Sequence, residues 1–532
     1  MARAAMLLLL LIPALCTAMA SAAVVEHTFK VGGMEISQLC NKSVIYTVNN
    51  QLPGPTIEVS EGDTLVVHVV NASPYPLSLH WHGIFQLRSA WADGASMITQ
   101  CPIQPSGKFT YVFNITGQEG TLWWHAHSSL LRATIYGALI IKPRNGYPFP
   151  KPYDEIPILL GEWWHNNVDD VEKDGLLTGL GPAVSDALTI NGLTGNKTSC
   201  KGEGRFQVEV EYGKTYLLRI INAAVNVELF FKVAGHAFTV VAVDACYTNP
   251  YATDVIVIAP GQTVDALMTA SAAPGRYYMA AHVFESKTVP LPFNTAVATA
   301  VVKYKGAPAK APAAMPILPN HTDIVTGGKF YWSLTGLPRS GAAAVPKTVD
   351  HSLVVGFGLD TAPCAPEQTK CQQFAVVADM NRHSFKFPQN VSLLEALFKG
   401  IPGVYSEDFP ASPPPLRMAK RVTSVRKVNF NEVVEVVLQN EEYSSVIGGE
   451  NHPIHLHGHD FFVLAHGLGR FNPALKSKYN LVNPQVRNTI VVPAGGWAVI
   501  RFRANNPGEY VDHALPPGRT PADRVGHDFR GA

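Results

Sequence analysis

Charge and helical periodicity are both scarce in this chain. Only 16% of its 532 residues are charged, and 42 Lys+Arg against 41 Asp+Glu leave a net charge of +1. That balance argues against nucleic acid or an anionic membrane as a partner and favours small neutral ligands. No long amphipathic helical stretch occurs, while 40 Pro and 43 Gly cut the sequence into short segments. A helical bundle is thereby excluded, and the length suits about three β-rich domains of ordinary size.

Long apolar runs are confined to the N-terminus, where Arg3 is followed by an apolar run from Ala4 to Cys16 and then by the small residues Ala20, Ser21 and Ala22. This pattern predicts a signal peptide over 1–22. No later stretch is long and apolar enough to span a bilayer, so the expected product is a secreted protein of the extracellular space or apoplast, monomeric and without membrane contact. Sequons at Asn41, Asn71, Asn114, Asn196, Asn320 and Asn390 agree with a secreted glycoprotein. Cysteine is sparse as well. Cys40, Cys101, Cys200, Cys246, Cys364 and Cys371 remain after cleavage, and none forms a C-x-x-C pair, which argues against a zinc or redox motif. Spacing leaves their connectivity open.

What the chain does contain is one unit used three times. A strand-like segment ending in asparagine recurs over 62–71, 213–222 and 431–440, each followed by a second strand over 77–83, 230–236 and 453–459. The unit closes with a strand, a turn and a returning strand, over 107–127, 261–282 and 495–513. The implied division is 23–148, 149–305 and 351–532, with the Pro/Ala-rich stretch inside 306–350 as a linker.

Three His-x-His pairs sit on this repeat: His80/His82, His125/His127 and His455/His457. Alternate residues of a strand point to the same face, so each pair presents two imidazoles to one point in space. Chance explains a lone pair easily, but not three in repeat-related positions. Six imidazoles without an accompanying carboxylate motif favour copper. In the middle unit the matching positions are Lys232 and Ala234, so no metal is expected there; His236 and His282, without partners, read as structural. A zinc hydrolase is the weaker alternative, because zinc sites need about three or four ligands with one position open, and no nucleophile or base motif accompanies these pairs.

The motifs at 80–83, 91–94, 99–104, 120–127 and 452–459 resemble those of plant laccases, multicopper oxidases built of three cupredoxin-like Greek-key β-domains. The resemblance covers roughly residues 25–508 and implies an all-β fold of three such sandwiches. It implies up to four copper ions, with His80 and His455 at the type 2 copper, His82, His125, His127 and His457 at the coupled type 3 pair, and His452 at the type 1 copper. It further implies one-electron oxidation of phenols coupled to reduction of dioxygen to water, a role in lignin polymerisation or degradation, and Asp93 as a catalytic, proton-supplying carboxylate. The bland readings are a turn residue for Asp93, a core or capping histidine for His452, and core packing for Trp123 and Trp124.

The C-terminus departs from the resemblance. The family's last motif reads His-Cys-His with a further His, whereas here His513 is followed by Ala514 and Leu515, with Arg519 in the final place. Without its thiolate a type 1 copper site is not expected. Pro516, Pro517 and Pro521 also interrupt the place of a closing strand, so the third domain is expected to be truncated and to lack it. Displacing the reading frame one nucleotide forward from Glu509 lets the codons of 512–520 encode Ile-Met-His-Cys-His-Leu-Asp-Val-His, which identifies the tail as a frame-displaced laccase C-terminus. His513 is then an accident of the frame, and the alternative function is a catalytically impaired, secreted copper-binding glycoprotein.

Overall fold

The computed structural model describes residues 22–195, 204–286, 293–308, 313–338, 344–415, 418–441, 449–514 and 526–531. Residues 1–21, on which the expected signal peptide over 1–22 falls, the sequon at Asn196, Cys200, and the side chains from 509 onward, including His513, lie outside the described residues. No helix among the described residues is long and apolar enough to cross a membrane.

Six sheets pair into three sandwiches, each around its own apolar core. In the first, the sheet containing Val24–Gln38 and Thr64–Asn71 packs on the sheet containing Leu79–His82 and Gly120–Ala126. Alternation along Thr64–Asn71 sends Leu65, Val67 and Val69 into the core, as a half-buried strand requires. The second sandwich is built from two six-stranded sheets and the third from an eight- and a five-stranded sheet. Between them, Ile324–Ser333 forms a helix capped by Asp323, whose carboxylate accepts from the Thr326 amide, and Phe330 packs into the second core.

The repeat seen in the sequence is also a repeat in register. In each sandwich the asparagine-ending strand runs parallel to the strand that opens the domain, pairing Asn71 with Val31, Asn222 with Leu160 and Asn440 with Phe357. The asparagines are buried, and each amide donates to two carbonyls: Tyr75 and Ile103, Val227 and Ile258, or Glu450 and Val492. The first carbonyl of each pair lies just ahead of the next core strand, so one side chain fixes where that strand begins. Asn71 is therefore a structural residue rather than a glycan acceptor, since its amide nitrogen is buried and already engaged twice.

The third domain does not lack its closing strand, contrary to expectation. Gly508–Ala514 pairs with His452–Leu456 and with Gly526–Gly531. Ladder hydrogen bonds use only the main chain, and the prolines that would forbid them come after Ala514. What the tail departs from is the chemistry of the family's last motif, not the backbone path up to residue 514.

Candidate metal centre

Strand pairing brings the histidines together. Leu79–His82 lies antiparallel to Gly120–Ala126 with His80 opposite His125, and His127 follows the strand's end, anchored by its amide to the Ser78 carbonyl at 2.9 Å. His455 arrives on the third domain's His452–Leu456 strand and His457 is the residue immediately after it. Across the domain boundary the ring centroids of His80 and His457 are 4.1 Å apart, and those of His82 and His455 are stacked at 3.7 Å. His127 closes the ring of contacts at 5.3 Å from His80 and 5.4 Å from His457. All six are buried, and ligand atoms of His80, His455 and His457, and of His80, His82 and His125, lie within 4.8 Å of one another.

The nitrogens on the far side of these rings are held by the protein. Nδ1–H of His80 donates to the Asp93 carbonyl at 2.8 Å, that of His125 to the Ala126 carbonyl at 2.9 Å, and that of His455 to the Asn488 carbonyl at 2.8 Å. Such bonds fix the tautomer and leave the opposite nitrogen with its lone pair. Nε2 of His80, Nδ1 of His82 and Nε2 of His125 are buried without a hydrogen-bond partner, a costly state that a bound cation relieves. Burial, then the neighbouring His455 imidazole, holds His82 well below the ordinary histidine range; burial, then His80, does the same for His125. Neutral rings are the metal-ligating form. The donor set therefore fits copper.

Asp93 sits fully buried between the first and third domains. Its Oδ2 accepts from His457 Nδ1 at 2.9 Å, while its own carbonyl holds His80. Burial pushes its carboxyl upward, but the His457 and His80 imidazoles outweigh this and hold it well below the usual carboxylate range. The next residue explains the approach. Gly94 adopts φ +83°, and a Cβ there would stand 1.6 Å from the Leu79 carbonyl oxygen, on the strand that carries His80. Asp93 is thus more than a turn residue, since only glycine lets its loop lie this close to the histidine strand.

His452 is buried on the same strand as His455 but three positions earlier, facing the other way, with its ring centroid 5.7 Å from that of Phe357 in an edge-on arrangement. It does not join the six. Trp123 and Trp124 pack in the core, their indole N–H groups donating to the Gly261 and Pro55 carbonyls. In the middle domain, Lys232 faces Ala280 across the strand pair that corresponds to His80 and His125, and its ammonium reaches Asp254 at 2.6 Å. Both nitrogens of His236 are engaged, by the Ala234 carbonyl and the Tyr304 hydroxyl.

Sequence reasoning missed Asn488 and Thr489, which hold His455 and lie beside His82, and the buried Asp244–Arg487 ion pair behind them at 2.9 Å. The sole signal was an arginine three residues before the apolar run that starts at Ile490, and it names no function.

Three family models, each described as multicopper oxidase, match residues 30–146, 154–307 and 397–514. The chain belongs to the multicopper oxidase family. Laccase-8 of Oryza sativa subsp. japonica is 75% identical over 517 residues, covering 96% of this chain and 93% of that protein. Laccase-7 of Arabidopsis thaliana is 51% identical over 516 residues, covering 93% and 90%. The crystal structure of the laccase from Botrytis aclada superposes with a TM-score of 0.76 at 25% identity, covering 96% of this chain and 88% of that one. Within the family the chain groups with the plant laccases, oxidoreductases with copper cofactors.

Proposed function

We propose that this chain is a secreted, apoplastic laccase whose reaction, one-electron oxidation of phenols coupled to reduction of dioxygen to water in lignin polymerisation or degradation, requires the His-Cys-His motif that its tail lacks. The observation that supports it is the convergence of six histidines from two domains on one buried point, with far nitrogens held and inward nitrogens of three rings unpartnered. His80 and His455 would hold the type 2 copper and His82, His125, His127 and His457 the type 3 pair, while His452 would be the one remaining ligand of a type 1 position that lacks its thiolate. Bound copper supplies the one-electron redox capacity and the dioxygen binding that no side chain here possesses.

The chain's own residues do the rest. The carbonyls of Asp93, Ala126 and Asn488 orient His80, His125 and His455. Reduction of one dioxygen to two waters consumes four electrons and four protons, and each phenol oxidised to its radical gives up one of each. Asp93 is the proton-handling group in this reading: Oδ2 accepts the His457 N–H, and Oδ1, buried 3.3 Å from His80 Nδ1, is the atom on which a proton is carried. Burial of all six rings excludes bulk water from the centre.

The test is copper content and oxygen uptake. Copper-loaded chain should lose bound copper on His80→Ala or His457→Ala, and a chain whose last motif is restored to His-Cys-His should consume oxygen only when a phenol is added. Full copper retention by both variants, or no phenol-dependent uptake by the restored chain, would refute the reading.

A further inference from the structure

The middle domain, which contributes no histidine to the centre, still reaches it. Thr489 opens the strand Thr489–Val492 of the third domain and is fully buried. Its hydroxyl oxygen lies 3.1 Å from His82 Nε2 and 3.2 Å from His455 Nδ1, and 2.9 Å from Asn488 Oδ1. A hydroxyl has one hydrogen to give. Asn488 Oδ1 can only accept, so the hydrogen goes there and the Thr489 oxygen accepts from the rings. His455 Nδ1–H is already spent on the Asn488 carbonyl at 2.8 Å, which leaves His82 Nε2–H as the principal donor to Thr489.

This bond has a chemical consequence. With its proton on Nε2, His82 presents an unprotonated Nδ1, and Nδ1 is the buried nitrogen of this ring that has no hydrogen-bond partner. His80 and His125, whose Nδ1–H groups are spent on carbonyls, present Nε2 instead. In the other tautomer of His82, a hydrogen on Nδ1 would stand where a cation must bind.

Thr489 is itself held from the middle domain. Its amide donates to Asp244 Oδ2 at 3.3 Å, and its carbonyl accepts from Gln262 Nε2 at 3.1 Å. Asp244 is buried, accepts from Arg487 Nε at 2.9 Å with the same carboxylate, and takes the Thr263 amide at 2.9 Å on its other oxygen.

We propose that Thr489, fixed by Asp244 of the middle domain, is a positioning residue that selects the copper-binding nitrogen of His82. The proposal rests on the copper-ligand reading above. Residues that hydrogen-bond the far nitrogen of a metal-ligating histidine alter metal affinity by about 10- to 100-fold.

The experiment uses the full chain loaded with copper ions, with affinity read by chelator competition and the bound cupric ions by electron paramagnetic resonance. Thr489→Val should weaken copper retention by about 10- to 100-fold and change the spectrum. Thr489→Ser, which keeps the oxygen, should restore both. Asp244→Asn should weaken retention in the same direction with the copper-free protein still folded. Native affinity in Thr489→Val, or no rescue by Thr489→Ser, overturns the proposal; if Thr489→Val does not fold, native affinity in Asp244→Asn overturns it. His82→Ala separates the two readings. Unchanged copper content in that variant refutes the ligand reading itself, whereas copper lost there but kept in Thr489→Val refutes only the role of Thr489.

Discussion

The first and middle domains share one backbone plan and differ at two facing positions. His80 stands opposite His125 in the first domain, and Lys232 opposite Ala280 in the middle one. Everything that makes the sandwich is kept in both: the parallel pairing of the asparagine-ending strand, the buried amide that pins the next strand, and the apolar core. The difference teaches that scaffold and chemistry are written at separate positions. A repeat can lose its metal without losing its fold, and then serve by holding its neighbours. The third domain tests the rule from the other side, because its register places His513 opposite His455, just as His125 stands opposite His80, while the residues after 513 no longer follow the family.

The largest break in that comparison is at the last motif. As the sequence stands, no cysteine follows Cys371, so no thiolate is available from the closing strand. Expressed side by side and loaded with copper, the chain with the tail of 509–532 should show no intense thiolate-to-copper visible absorption and no useful phenol-dependent oxygen uptake, and the frame-restored chain should show both. Blue colour in the former would mean that the reading of the tail is wrong.

Much of the fold and most of the centre were legible in the sequence for one reason. Strand periodicity turns a two-residue spacing into a shared direction, so His80/His82 and His455/His457 announce their geometry. Asn71, Asn222 and Asn440 were visible as a repeat, but their two-carbonyl bonds were not, because they depend on residues up to 52 positions away. Asp244 and Thr489 were invisible for the same reason: 245 residues separate them, and neither sits in a pattern. The missing closing strand was inferred from prolines, yet those prolines follow Ala514, and Gly508–Ala514 pairs with both His452–Leu456 and Gly526–Gly531.

Gly94→Ala should come next in size. Its Cβ would overlap the Leu79 carbonyl in a backbone conformation that alanine avoids, so the 91–94 loop must retreat and take Asp93 with it. A cost of at least about 3 kcal/mol in thermal or denaturant unfolding, with loss of copper retention, is expected. Alanine at Gly213, where φ is +78° but the space is open, should cost only about 1 kcal/mol and leave copper bound.

A pH profile sharpens the contribution of the middle domain. Glu228 is buried at the boundary with the third, bonded to the Tyr331 hydroxyl and to Asn451 Nδ2 at 2.7 Å; burial pushes its carboxyl up to about 7 from an ordinary 4.5. Between those two values the folded protein keeps a proton that the unfolded chain has lost, so stability falls as pH rises through the window. The native protein should lose on the order of 3 kcal/mol relative to Glu228→Gln between pH 4.5 and 7, from the size of the shift. Parallel pH profiles for the two proteins would exclude this.

Alanine at Asn71, Asn222 and Asn440 separates scaffold from chemistry directly. Each change strands two buried carbonyls, an expected loss of about 2 kcal/mol in all three domains by denaturant titration. Copper retention should fall for Asn71→Ala and Asn440→Ala, whose loops lead into histidine strands, and hold for Asn222→Ala. Equal copper loss in all three would dissolve the distinction.

The smallest effect is expected where the comparison began. Lys232→His places an imidazole at the position of His80, yet Ala280 still faces it, and no pair from another domain is in reach as His455 and His457 are for His80. Among the described residues no metal-ligating group gathers around this position, and one imidazole does not make a copper site, which needs several nitrogen donors converging with their tautomers fixed. The lost interaction is a solvent-facing pair, since the Asp254 partner is 67% exposed, so stability should change by less than about 1 kcal/mol. Copper per chain should stay at the native value. An additional tightly held copper in Lys232→His would show that the middle domain lacks only a ligand, rather than the converging second domain that makes the site between the first and the third.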